Sequence, residues 1–288
     1  MSSFLYRPPL SGDGLLRALR ARFPSAPVEH ATTAGGVEVI GVALTRGVVR
    51  EGWDEWRGKH GETGWWPYVS PRSPESVAGF SRRDGVDAVA AAAAVEDLVA
   101  EVVCQDHDAR AASVVVSGFR WSMECAGEDE EDQEGWRDDC DPDRLAPRLS
   151  PPLTAPLHGV SRWATSDQDG WGRGQRWLTF VAARGGHEVP AVLPHMFKKG
   201  SWSGYGERIL TAADDAALLR RWHEQWGAEL FLGSGVYLEL VVDRPPLDPR
   251  SAAQAATELM GYCDDTVQDP RTAGDGMVRS TVWSLWWD

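Results

Sequence analysis

Four residues in the last quarter of the chain carry side chains suited to proton transfer or nucleophilic attack: His223, Cys263, Asp264 and Asp265. An imidazole changes charge near neutral pH, and a thiolate served by a distant histidine can attack a carbonyl. Asp264 and Asp265 follow a helical stretch, where negative charge opposes the helix dipole, and a broken local rule can mark a site. Each residue also has a plainer role. His223 fits a structural histidine beside Trp222 and Trp226, Cys263 fits a buried, inert thiol, and the aspartates fit a turn at a helix end. His187, Glu188, His195, Asp264, Asp265 and Asp269 include the ligand types of a divalent metal site. No H-x-x-x-H spacing, and no D-x-D among these aspartates, brings them together. Cys104, Cys125, Cys140 and Cys263 contain no C-x-x-C pair, so no metal or other cofactor is expected. The glycines at Gly170, Gly172 and Gly174 read G-W-G-R-G rather than G-x-G-x-x-G, a loop rather than a phosphate cradle.

A second set suits binding rather than chemistry: Trp65, Trp66, Trp202 and Arg221. Side chains alternate along a strand, so Trp65 and Trp66 point to opposite faces. An outward ring can floor a ligand or peptide groove, with His60 and Glu62 close by in sequence; the plainer reading packs the rings internally. Arg220, Arg221 and Arg244 can stack on tryptophan or fork onto a carboxylate, and internal pairing to Glu239 or Asp288 is the simpler expectation. Fifteen tryptophans demand core volume and a partner for each N–H.

The elements that position these residues follow from punctuation and periodicity. Gly14–Phe23 is predicted helical and stops at Pro24. Val37–Leu44 is β-branched and reads as a strand, Val48–His60 as a helix closed by Gly61, and Trp65–Ser70 as a strand entered through Gly64. That order suggests a βαβ unit. Asp84 is expected to cap an alanine-rich helix reaching Cys104, and Ala112–Phe119 (ASVVVSGF) reads as a strand. Gly127–Asp143 is a run of acids, followed by a proline-rich stretch to Pro156; both read as a solvated linker or insertion. Arg176–Ala183 is a predicted strand, followed by Glu188–Leu193 around Pro190. Thr211 and Asp214 form a capping box for a helix through Trp226 that Gly227 ends. Ala228–Leu232 and Val236–Val242 flank a hairpin turn at Gly233-Ser234-Gly235. Asp248-Pro249 opens a helix to about Tyr262, and Thr281–Trp287 is a final strand.

Within this second half, Arg221-Trp222-His223-Glu224-Gln225-Trp226-Gly227-Ala228-Glu229-Leu230, Arg244-Pro245-Pro246, Tyr262-Cys263-Asp264 and Val282-Trp283-Ser284-Leu285-Trp286-Trp287-Asp288 resemble the bacterial family named domain of unknown function 4253. Thr63-Gly64-Trp65-Trp66-Pro67 and Glu188-Val189-Pro190-Ala191 look like two further stretches of that family. The resemblance is strongest over 176–288 and patchy over 41–69. Asp264 stands where the family has proline in Y-C-P-D, and Gly200-Ser201-Trp202-Ser203 is not followed by the family's Cys-Pro dipeptide. The resemblance implies an architecture and no reaction.

The net charge of −14 and pI near 4.9 argue against nucleic acid and anionic membranes, which require basic surface. They suit a basic protein partner. No apolar run follows Met1, none approaches the ~20 residues that span a bilayer, and the scattered cysteines are expected to be reduced; the cytoplasm is the expected compartment. The expected fold is α+β (mixed α/β), a mixed sheet covered by helices, with the C-terminal strand inserted beside the 228–242 hairpin. Residues 1–126 and 161–288 are expected to form one compact unit interrupted by an acidic insertion at 127–160. The favoured function is a non-catalytic interaction protein, immunity-like or otherwise partner-binding. The alternative is an enzyme, possibly a hydrolase, using His223, Cys263, Asp264 and Asp265 around a tryptophan-lined pocket.

Overall fold

A computed structural model describes residues 6–80, 88–125, 140–161, 176–194 and 210–287. Strands β1 (Val28–Thr32), β2 (Glu38–Leu44), β3 (Trp65–Ser70), β4 (Arg176–Ala182), β5 (Ala228–Ser234), β6 (Tyr237–Val242) and β7 (Val282–Trp286) form one sheet in the order β1-β2-β4-β3-β5-β6-β7. The helices are α1 (Gly12–Arg22), α2 (Arg46–Gly58), α3 (His60–Thr63), α4 (Pro74–Phe80), α5 (Ala88–Cys104), α6 (His107–Cys125), α7 (Pro142–Leu145), α8 (Val189–Val192), α9 (Ala212–Trp226), α10 (Pro249–Tyr262) and α11 (Pro270–Asp275). This is an α+β fold on a mixed sheet.

All strand pairs are antiparallel except β3 with β5, which meet in parallel at Val69 and Leu232. The expected βαβ unit is present but opened. β2 and β3 run parallel, joined by α2, and β4 lies between them, antiparallel to both. The sheet therefore interleaves strands from before and after the acidic run. β7 pairs with β6 beside the hairpin, as its outermost strand.

Helices cover both faces. On one, Leu15, Leu19, Trp53 and Trp56 from α1 and α2 pack on Ile40, Val42, Trp65 and Phe180. On the other, α5, α6, α9 and α10 pack on Trp66, Tyr68, Leu230 and Trp283. The adjacent Trp65 and Trp66 thus face opposite layers, and both are buried, so neither ring floors an open groove. Each buried tryptophan body leaves an N–H group to satisfy, and among the described residues four of the seven buried rings donate within the protein. Trp53 donates to Pro67 O (3.0 Å), Trp65 to Leu10 O (2.7 Å), Trp283 to Val278 O (3.1 Å) and Trp222 to Glu258 Oε2 (3.0 Å).

Local signals fix most element ends. The Thr211–Asp214 capping box closes α9 at its start, and Gly227, left-handed at φ 63°, ends it. Asp248 caps α10 by accepting from Ser251 N–H. The hairpin turn is Gly235-Val236, between Ser234 and its partner Tyr237. α2 stops at Gly58, and the one-turn α3 follows before Gly64 at φ 72°.

The strand expected at Ala112–Phe119 is instead the middle of α6. Its three consecutive valines favour a strand locally, yet Ala111 and Val114 are buried while Val116 is 57% exposed, a helical and not an alternating pattern. Packing against α9 and α10 overrides the propensity. Asp84, Gly170–Gly174, His195, Trp202 and the acidic residues 127–139 lie outside the described residues.

The proline-rich stretch lies along the C-terminal half. Leu153 N–H donates to Leu247 O (3.0 Å) and Leu157 N–H to Arg279 O (2.9 Å). Arg279, with no exposed side-chain surface, donates to Ser150 O and Pro151 O, both at 2.8 Å.

Candidate functional site

The four chemical candidates do not converge. The Cys263 thiol lies 3.2 Å from Trp286 O, to which Thr266 Oγ1 also donates at 2.9 Å. Cys263 is buried there as a clasp between α10 and β7, and Asp264 and Asp265 follow it in the same turn. His223 sits elsewhere, with Nδ1 3.7 Å from Glu229 Oε1. Trp286 pairs with Tyr237, Tyr237 with Ser234, and Glu229 lies five residues back along β5. At strand rise, that places roughly 16 Å between the two ends.

Arg221 is held in place by acids. It donates to Glu258 Oε1 (3.0 Å) and Asp108 Oδ1 (2.7 Å), so its partners are not the expected Glu239 or Asp288. Glu258 also accepts from Trp222 and Gln254. Arg244 donates to the last carbonyls of α9, His223 O (3.4 Å) and Glu224 O (3.0 Å).

What assembles around His223 is a polar cluster at the end of the sheet where β3 and β5 begin. Glu229, 11% exposed at its side chain, forms an ion pair with Arg57 of α2, and Arg57 also holds Asp243 after β6. The Arg57–Glu229 contact is close but not aligned as a hydrogen bond. Burial pushes the Glu229 carboxyl up to about 7, with Arg57 only partly opposing it. Burial likewise lowers the His223 imidazole. The His187 ring lies 6.3 Å from that of His223, and His60 Nε2 meets Ala183 O at 2.8 Å while standing edge-on to Trp66. Sequence reasoning named His223, His187 and His60 but missed Arg57, Glu229 and Asp243. The readable signal was Glu229 itself, an acid opening the apolar run Ala228-Glu229-Leu230-Phe231-Leu232. Among the described residues, no group of three or more His, Cys, Asp or Glu is arranged to hold a metal ion.

A second feature lies on the helical layer. Between α6 and α10 runs a groove of about 410 Å³, floored by Val115, Val116 and Phe119 and walled by Gln254 and Thr257. Its mouth carries Arg250 and Asp143, 3.1 Å apart and both largely exposed. Cys140, near the end of the acidic run 127–143, also lines it.

Fold and sites together define an α+β protein on one interleaved mixed sheet, with a polar cluster at the sheet end and an apolar groove on its helical face. The model of the family described as Domain of unknown function (DUF4253) matches residues 177–288, so this C-terminal part of the chain is similar to that family. The matched region supplies His223 and Glu229, whereas Arg57 and the α6 side of the groove come from outside it. Comparison with curated proteins and with solved structures gives no match.

Proposed function

We propose that the protein acts by binding a basic, amphipathic segment of a partner protein in the groove between α6 and α10. The observation that carries this reading is Val116, 57% exposed on the floor of a groove lined by Val115 and Phe119. An amphipathic helix laid into such a groove buries its apolar face. The charge of the partner follows from that of the chain: the net charge is −14, and the acid-rich run 127–143 joins the end of α6 to Cys140 and Asp143 on the groove. Carboxylates at a docking surface speed and select the encounter with a cationic segment, and Asp143 and Glu258 line this one. Immunity-type neutralisation of a basic protein is one role of this kind. Cys104, Cys140 and Cys263 take part in no disulfide, which supports a reducing, cytoplasmic setting. No described helix is long and apolar enough to cross a membrane.

The test is a titration with a synthetic lysine–leucine amphipathic helix, followed by calorimetry, beside a glutamate–leucine helix of equal length. The basic helix should bind with an affinity that falls as salt rises, and V116D should abolish binding without lowering the melting temperature. Equal binding of both helices, or full binding by V116D, would overturn the reading.

A hydrolase reading retains one supporting observation, the 3.7 Å approach of His223 Nδ1 to Glu229, which would orient the ring as a general base. Turnover of an activated ester that falls alike in H223N and E229Q would favour it over binding.

A further inference from the structure

The N-terminal end of α6 meets the outer face of α9 and the turn 184–188 in a site with more hydrogen-bond donors than acceptors. Arg220 Nη1 stands 3.0 Å from His107 Nε2, and Gln105 Nε2 stands 3.2 Å from His107 Nδ1. The Gln105 amide is oriented by its other contacts, because its Oε1 accepts from Arg110 (3.0 Å) and its Nε2 also donates to Ala213 O (3.2 Å). A neutral imidazole accepts at one nitrogen and donates at the other, and a protonated one only donates. One of the two contacts therefore sets a donor against a donor whichever tautomer His107 adopts.

His187 adds to the surplus. Among the described residues neither of its ring nitrogens has a hydrogen-bond partner, and its ring stands 6.3 Å from that of His223. Burial and the neighbouring Arg220, His223, His107 and Arg184 hold its pKa down to about 3, the mark of a poorly hydrated spot at positive potential. Each nearby acid already has a partner: Glu224 holds the Nε of Arg220 (2.9 Å) and leaves its Nη1 towards His107, Glu188 pairs with Arg184 (3.0 Å), Asp108 with Arg221 (2.7 Å), and Asp106 accepts from Ala109 N–H at the start of α6 (3.0 Å). Behind this turn the indole N–H of Trp66, buried and without a partner, faces Gly186. The positive end of the α6 dipole points into the same region.

We propose that His107, His187, His223 and Arg220 form a binding site for a small oxyanion of the phosphate class. An oxyanion brings acceptors only, so it resolves the donor conflict at His107, engages the free ring of His187 and meets Arg220 in the charge-assisted geometry guanidinium favours. The site is independent of the docking groove, which uses the middle of α6 and Arg221 rather than Arg220.

Inorganic phosphate is the probe, and the readout is the set of side-chain ¹H–¹⁵N signals of the seven histidines. Phosphate should shift the His107 and His187 signals saturably in the millimolar range while leaving His30 in place, and it should raise the melting temperature. R220Q alters an exposed side chain and should fold normally, yet it should weaken phosphate binding at least tenfold. The proposal fails if the histidine signals do not saturate, or if folded R220Q binds phosphate as tightly as the parent.

Discussion

Gly118 of α6 and Gly261 of α10 lie back to back, so close that a Cβ at position 118 would stand 1.8 Å from the Gly261 carbonyl oxygen. The clash is with backbone, so no side-chain rotation relieves it and the two helices would have to separate. G118A should gain about 1 kcal/mol of helix propensity and still lose about 3 kcal/mol overall through overpacking, seen as a lower urea midpoint. G79A is the control, because among the described residues nothing lies within 4 Å of a Cβ there; it should be neutral or mildly stabilising. Equal behaviour of the two variants would contradict the close crossing of α6 and α10.

The C-terminus cannot be trimmed. Trp286 N–H donates to Thr266 Oγ1 (2.7 Å), Trp286 O receives the Cys263–Thr266 clasp, and the Trp287 ring stands edge-on to Tyr262 at 5.4 Å. Deleting Trp286–Asp288 should cost on the order of 3 to 5 kcal/mol, the range for losing a large aromatic side chain from a core. An unchanged melting temperature in the truncated chain would remove β7 from its place beside β6.

The pH dependence of stability should report two buried groups of opposite sign. Glu229 has its pKa raised from 4.5 to about 7, mainly by burial, so its contribution is fully present below 4.5 and is lost as pH rises through 7. His187 has its pKa lowered from 6.5 to about 3, so its contribution is present above 6.5 and is lost as pH falls towards 3. E229Q mimics the protonated acid. Its stability relative to the parent should therefore be lowest near pH 4 and should climb steadily to pH 8 in urea unfolding. A difference that stays constant with pH would mean Glu229 ionises freely.

Arg279 fastens the stretch after α7 to the C-terminal half through the carbonyls of Ser150 and Pro151. R279M keeps the volume and removes both hydrogen bonds, each worth about 1.5 to 3 kcal/mol because the donor is charged. Limited proteolysis should cut between 146 and 156 faster in R279M than in the parent. Identical digestion patterns would show that the guanidinium does not hold this stretch.

The chain's own letters determined what depends on neighbours a few residues apart. The Thr211–Asp214 box, the stops at Gly64 and Gly227, the Asp248-Pro249 start and the opposite facing of Trp65 and Trp66 all rest on hydrogen bonds or steric rules spanning at most four positions. Tertiary structure decided the rest. The valines at 114–116 became helix because α9 and α10 offered a surface of helical period, and β4 entered between β2 and β3 although more than a hundred residues separate it from either. The same holds for chemistry. Cys263 and His223 looked like potential partners until the β5–β6–β7 ribbon set them at opposite ends, while Glu229, His187 and the conflict at His107 acquired their character from burial and from residues distant in sequence. Burial and long-range pairing exist only once the chain has folded, which is why no local pattern announced them.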